Sequence, residues 1–357
     1  MSSQEKNILV YRLGSLGDTV MALPCFHHIR ACYPNANITL LTNKPVMSKA
    51  APLQAVLGKA YFVDDILSYP VGMRNPILLA KLAAQIRRKK IDTVVNLTAT
   101  RSRNTDRRDK LFFHSAGIKN FIGFNGVRGK YVAEIDPATG FVEWEASRLR
   151  ARIQELGHFS LDDEQYWDLK ITEPEKAEAN RLLEGRNRPD RIIAVNMGTK
   201  MPIKDWGQEN WKKLLASLSN RFPERTLVMV GAKEEYNRSE ECAELWGGDA
   251  LNLCGKCNPR VSAAVLQQCE VLIGHDSGAM HLAGCMGTIC IGIFSCINRP
   301  IQWHPAGQNN TVLRPETVCA QNGKYTCDRS DGFCVELISP DTVADAVVKT
   351  LSKTEAI

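Results

Sequence analysis

No stretch of the chain approaches the roughly 18 consecutive apolar residues that a bilayer-spanning helix needs. The opening MSSQEKNILVYRL lacks the basic start, apolar core and cleavage site of a secretory leader, so a cytoplasmic protein is the expectation. Neither G-x-G-x-x-G nor G-x-x-x-x-G-K-[ST] occurs, which argues against the dinucleotide fingerprint and the P-loop. No D-x-D triplet is present to carry a divalent metal by that motif, and no G-x-S-x-G or Ser-His-Asp signature stands out. These absences leave no cofactor and no metal among the expectations.

What is present bounds the rest. The 357 residues are long for one core and ample for two domains. An apolar fraction of 44% with 24% charge reads as globular and ordered. The net charge of +6 suits an anionic ligand or headgroup without demanding nucleic acid. Part of the excess is local, in RRKK at 87–90 and in Arg101, Arg103, Arg107, Arg108 and Lys110. The first cluster reads as a solvated surface; the second follows a strand and is divided between that reading and an anion site. Twelve cysteines without an export signal read first as free thiols. The lone C-x-x-C at Cys254 and Cys257 and the loose group Cys319, Cys327 and Cys334 fall short of the four ligands usual in a structural zinc site.

Along the chain, short β-rich runs alternate with helical patterns. Strands are expected at 7–13, 37–42, 61–67, 91–97 and 118–124, with helices over 18–32, 48–57 and 76–89. A polar stretch at 160–179 reads as a linker entering a helix near Pro174. The rhythm then restarts with strands at 191–198, 226–232, 250–255, 271–276 and 288–294 and helices at 208–221, 233–246, 260–268, 278–286 and 340–352. The expectation is α/β throughout, as two Rossmann-like domains, 1–165 and 166–357. Parallel sheets bind ligands beyond the carboxyl ends of their strands, so the chemistry is sought there.

Three strand exits carry unusual residues. In GHDSGAMHLAGCMGT (274–288), Asp276 and Ser277 precede a helix starting near Gly278, whose free N–H groups suit an anion, and His281 lies one turn on. Asp276 would repel a phosphate and suits a sugar hydroxyl better; a plain helix cap with a core histidine is the alternative. In NMGTKMPIKDWGQENW (196–211), Thr199, Lys200 and Lys204 suit a diphosphate, and Trp206 and Trp211 are spaced to anchor the loop. In VYRLGSLGDTVMALP (10–24), Gly14 and Gly17 flank a turn that carries Asp18, a poor fit for binding an anion. Asp18 is either a helix cap or a base for an incoming hydroxyl.

Together, and in this order, RLGSLGDTVMALP, GTKMPIKDWGQENW and DSGAMHLAGCMGT resemble glycosyltransferase family 9, the group containing the bacterial lipopolysaccharide heptosyltransferases. The resemblance runs from about residue 7 to about 345. It implies a GT-B fold, with two Rossmann-like domains facing a central cleft, an acceptor-binding N-terminal domain and a donor-binding C-terminal one. It also implies inverting, metal-independent transfer of a sugar, heptose from ADP-heptose, to a lipid-linked or core-oligosaccharide acceptor, with peripheral contact at the inner membrane leaflet. By position, Asp18 is the implied base. Thr199, Lys200, Lys204, Asp276, Ser277, Gly278 and His281 are implied around the donor, with Gly14, Gly17, Arg101 and Arg103 on the acceptor side. The loop SCINRPIQWHPAGQ (295–308) replaces a common family version, which leaves another nucleotide sugar open. A nicotinamide oxidoreductase and a non-catalytic sugar-nucleotide binder are the competing classes.

Overall fold

The apolar runs expected to be buried strands do form parallel sheets. The structure is a computed structural model and describes residues 6–44, 53–58, 61–99, 102–126, 142–188, 190–297, 299–315 and 332–354. The chain divides into two compact units, Met1–Lys170 and Ile171–Ile357.

In the first unit the order is β1 (Asn7–Tyr11), α1 (Leu16–Met21), α2 (Leu23–Cys32), β2 (Asn37–Asn43), α3 (Gln54–Leu57), β3 (Asp65–Tyr69), α4 (Pro76–Arg88), β4 (Thr93–Asn96), α5 (Arg103–Ser115), β5 (Asn120–Ile122) and α6 (Glu145–Arg152). The sheet order among the described residues is β3-β2-β1-β4-β5, all parallel. Ile8, Leu9 and Val10 of β1 are fully buried, as a central strand covered on both faces requires. The helix expected over 18–32 is broken at Ala22, because Pro24 has no N–H to continue the ladder and instead sits in the first turn of α2. β3 starts later than expected, since the rings of Tyr61 and Phe62 pack on His27 at 5.3 and 4.9 Å.

The second unit runs α7 (Glu173–Leu183), β6 (Ile192–Asn196), α8 (Gln208–Arg221), β7 (Thr226–Met229), α9 (Tyr236–Ala243), β8 (Ala250–Asn252), α10 (Pro259–Leu266), β9 (Val271–His275), α11 (Gly278–Cys285), β10 (Ile289–Ile293), β11 (Thr311–Leu313) and α12 (Pro340–Thr354). Its sheet order is β11-β10-β9-β6-β7-β8, again parallel. Trp206, Trp211 and Trp246 are fully buried in a core shared by this sheet, α8 and α12.

Half of the expected linker is not a linker. Phe159 stacks on His28 with ring centroids 4.4 Å apart, Trp167 stacks on Trp144 at 5.5 Å, and His27 Nε2 hydrogen-bonds the Asp168 carbonyl at 2.7 Å. These contacts hold the chain to the first unit as far as Lys170. α7 then begins at a Thr172 cap, whose N–H and hydroxyl both donate to Glu175 Oε2, at 2.8 and 2.9 Å.

Candidate active site

Each sheet has one point where strand order reverses, and in open α/β sheets ligands bind in the crevice beyond it. In the first unit the chain passes from β1 to one side and returns at β4 on the other, so the exits of β1 and β4 flank that point; Tyr11 and Asn96 are register partners there. In the second unit the corresponding pair is β6 and β9, with Asn196 opposite Gly274.

At the first exit the chain turns through Gly14, whose φ of +132° a side chain would strain. A Cβ there would also lie 2.5 Å from the Asp18 Cβ and Cγ. Asp18 is the third residue of α1, and its Oδ2 accepts the Ser15 N–H at 2.8 Å and the Ser15 hydroxyl at 3.0 Å. The capping role is therefore present. Oδ1 is oriented differently: the Arg12 guanidinium approaches it to 3.8 Å, and the side chain keeps 30% of its surface exposed. One oxygen of this carboxylate thus holds the turn, and the other lies beside the Arg12 guanidinium. Gly17 lies inside α1 beside it.

Beyond β4, Asn96 Oδ1 accepts the Thr98 N–H and hydroxyl at 3.0 and 2.8 Å, which fixes the strand exit. Ser102 caps α5, and Arg103 is exposed in its first turn. Arg101 lies outside the described residues.

The second unit brings more of the expected residues together. Lys204, in the turn after β6, donates to Asp276 Oδ2 across 2.5 Å, with both side chains largely buried. His281 Nε2 lies 3.9 Å from the other Asp276 oxygen and its ring meets Trp303 edge-on at 6.1 Å. Ser277 stands at the N-cap of α11 and donates its hydroxyl to Asn196 Oδ1 at 2.8 Å, while Asn196 Nδ2 donates to the Val230 carbonyl at 2.8 Å. The exits of β6, β7 and β9 are thereby tied side by side, with Gly278 opening α11. Thr199 Oγ1 accepts the Met201 N–H at 3.3 Å, so its hydroxyl also shapes the loop; Lys200 is exposed. The loop is anchored as its tryptophans suggested: Trp206 Nε1 donates to the Ile338 carbonyl at 2.8 Å and the ring meets Trp211 edge-on at 5.0 Å.

His275, fully buried, accepts the Trp206 N–H on Nε2 at 3.0 Å, and burial pulls its pKa down to about 4. It is a neutral pin between the two halves of the site. The C-x-x-C thiols are local hydrogen-bond partners: Cys254 Sγ donates to Ser239 at 3.3 Å and Cys257 Sγ lies 3.2 Å from Ser262 Oγ. Burial pushes Cys254 up to about 12. Cys319 and Cys327 lie outside the described residues.

Sequence reasoning missed two groups. One is the buried set Arg12, Glu145 and Arg148 behind Asp18; its signal was an arginine closing the apolar run NILVY. The other is the role of Glu235, which lies in a strand exit, Gly231 to Glu235, where chemistry was expected but to which no residue role was given: its Oε2 accepts the Ala232 N–H at 2.9 Å and its carboxylate fills the space where a Cβ on Gly198 or Gly231 would lie, within 2.2 Å. Its signal was a pair of glycines at two neighbouring strand exits.

Two parallel-sheet α/β units with polar strand exits at both reversal points are the architecture of the GT-B fold. The model of Glycosyltransferase family 9 (heptosyltransferase) matches residues 145–331, just over half of the chain, and the chain belongs to that family. The lipopolysaccharide core heptosyltransferase OpsX of Haemophilus influenzae is 21% identical over 316 residues, covering 86% of this chain and 84% of that protein. Among solved structures, a family 9 glycosyl transferase from Veillonella parvula superimposes with a TM-score of 0.73 at 20% identity, covering 99% of each chain. The ADP-heptose lipopolysaccharide heptosyltransferase II of E. coli gives 0.67 at 19%, covering 98% of this chain and 99% of that one. The iron-containing dodecameric glycosyltransferase TibC of enterotoxigenic E. coli gives 0.51 at 10%, covering 99% of this chain and 78% of TibC.

Proposed function

We propose that this chain transfers a heptose from ADP-heptose to a hydroxyl of a lipopolysaccharide core, with inversion and without a metal. What carries the reading is the Lys204–Asp276 pair at the reversal point of the second sheet, beside the first turn of α11. An ammonium and the positive end of a helix are suited to the charge that develops on a departing diphosphate. Asp276 holds the ammonium in place and, like Ser277, offers polar oxygen to a sugar. The names of the relatives, OpsX and heptosyltransferase II, support heptose, ADP and the lipopolysaccharide core.

In this reading Asp18 Oδ1 takes the proton of the acceptor hydroxyl as its oxygen attacks the anomeric carbon. The bond to the diphosphate oxygen breaks on the opposite face. Arg103, and Arg101 before it, draw in an anionic core, and a basic surface of this kind also suits peripheral contact with an anionic leaflet. No helix among the described residues is long and apolar enough to cross a membrane.

The test is direct. ADP-heptose and a core-truncated lipopolysaccharide should yield one added heptose by mass spectrometry, with the anomeric configuration inverted by NMR. Asp18→Asn keeps an oxygen for the Ser15 donors but cannot take a proton, so kcat should fall about 10²- to 10⁴-fold with ADP affinity unchanged. An Asn variant retaining more than roughly a tenth of kcat would make Asp18 a cap only. If UDP, GDP or CMP raises the melting temperature more than ADP does, another nucleotide sugar is the donor.

A further inference from the structure

A guanidinium at the end of a buried strand is expensive to desolvate, and buried ion pairs seldom repay that cost in stability alone. Arg12 is such a group, with no exposed surface. Its NH1 donates to the Leu97 carbonyl at 2.5 Å and its NH2 to the Asp18 carbonyl. The same two nitrogens lie 3.8 Å from Glu145 Oε1 and from Asp18 Oδ1. Glu145, at the first turn of α6, accepts from Arg148 Nε and NH2, both at 2.7 Å, and Arg148 NH2 reaches the Thr98 carbonyl at 3.2 Å.

We propose that Arg12 is a positioning residue, which sets the Asp18 carboxylate in register with the strand exit leading to the acceptor-side arginines. Its contacts join three segments distant in sequence: the β1–α1 turn, residues 97–98 after β4, and α6. Ser15 fixes Oδ2 of Asp18, and Arg12 fixes the residue's backbone and attracts Oδ1 by charge. At 3.8 Å that approach is too long for a hydrogen bond, so no guanidinium N–H occupies Oδ1. The planar fork is needed because one group must meet two carbonyls at once. This role rests on Asp18 acting as the base.

A double-mutant cycle tests it on the full-length enzyme, reading kcat, ADP affinity and melting temperature. Arg12→Met should lower kcat roughly tenfold or more, the effect of one lost charge-assisted contact, without weakening ADP binding. Arg12→Lys keeps the charge but lacks the planar fork that meets the two carbonyls from separate nitrogens, so its loss should be intermediate. In the Asp18→Asn background both substitutions should change kcat by less than about twofold, because their effect passes through the carboxylate. Equal fold-losses in both backgrounds, or a matching loss of ADP affinity, would overturn the role. Should the methionine variant fail to fold, the lysine pair completes the cycle by itself. Wild-type kcat in Asp18→Asn alone would instead overturn the base assignment, a separate result.

Discussion

Replacing Lys204 by Met removes a cation from a largely buried carboxylate. Asp276 is 8% exposed and its lysine 15%, and His281 Nε2 stays 3.9 Å away. Breaking a fully buried pair costs about 3–5 kcal/mol; with this residual exposure and a nearby imidazole, about 2–3 kcal/mol is expected. In a unit the size of Ile171–Ile357, each kcal/mol shifts the melting temperature by about 2–4 °C, so the variant should melt about 4–12 °C lower. Adding Asp276→Asn removes the stranded charge and should recover most of that loss. Donor binding should behave differently. If Lys204 meets the diphosphate, one charge-assisted contact worth about 1.5–3 kcal/mol disappears in both variants, and ADP should bind roughly ten- to a hundredfold more weakly. Asp276→Asn alone keeps the lysine and should keep ADP binding. Scanning fluorimetry reads the first quantity and titration calorimetry with ADP the second. A double variant that melts normally and binds ADP as tightly as the wild type would refute the reasoning, since Lys204 would then serve only its partner.

Three further outcomes follow from the same geometry. Chelation by EDTA should leave transfer intact; loss of activity restored by magnesium, zinc or iron would replace the lysine and α11 with a metal as the charge stabiliser. Arg103→Ala should raise the KM for the acceptor while ADP affinity stays constant, and equal losses for both substrates would indicate misfolding instead. His275 binds its proton less readily folded, at about pH 4, than unfolded, near 6.5, so between those values the unfolded chain holds more protons and stability falls as pH drops. The loss should reach about 2–3 kcal/mol by pH 4 and be absent above pH 7, and His275→Gln should flatten that part of a melting-temperature profile against pH.

The central strands were legible because burial on both faces leaves little choice of residue. β1, β4, β6 and β9 all fall within short apolar runs, and the strand exits they predict hold Asp18, Lys204 and Asp276. α8 matched its expected span from Gln208 to Arg221, where a periodic apolar face meets the tryptophan core. Edges read less well. β11 is a short, half-buried strand with no distinct pattern of its own. α5 is a helix with mean polarity too high to look like one, held by its Ser102 cap and by Asp106 on Arg152 at 2.8 Å. The pairing of Lys204 with Asp276 was not legible, since 72 residues separate them and only the parallel register of β6 and β9 makes them neighbours. The buried cluster behind Asp18 was hidden for the same reason: Glu145 and Arg148 come from a helix whose composition reads as a solvated surface.

The closeness of position 14 to the Asp18 carboxylate has a consequence for how this sequence can drift. A mutation from Gly14 to any other residue meets both an unfavourable backbone angle and an occupied volume, and the occupant is the proposed base itself. The constraint runs in one direction: position 14 cannot be exchanged without remaking the turn around the carboxylate. A saturation library at position 14 should return glycine almost alone under selection for transfer, and a variant recovered there with another residue would show that the turn can be remade around the carboxylate.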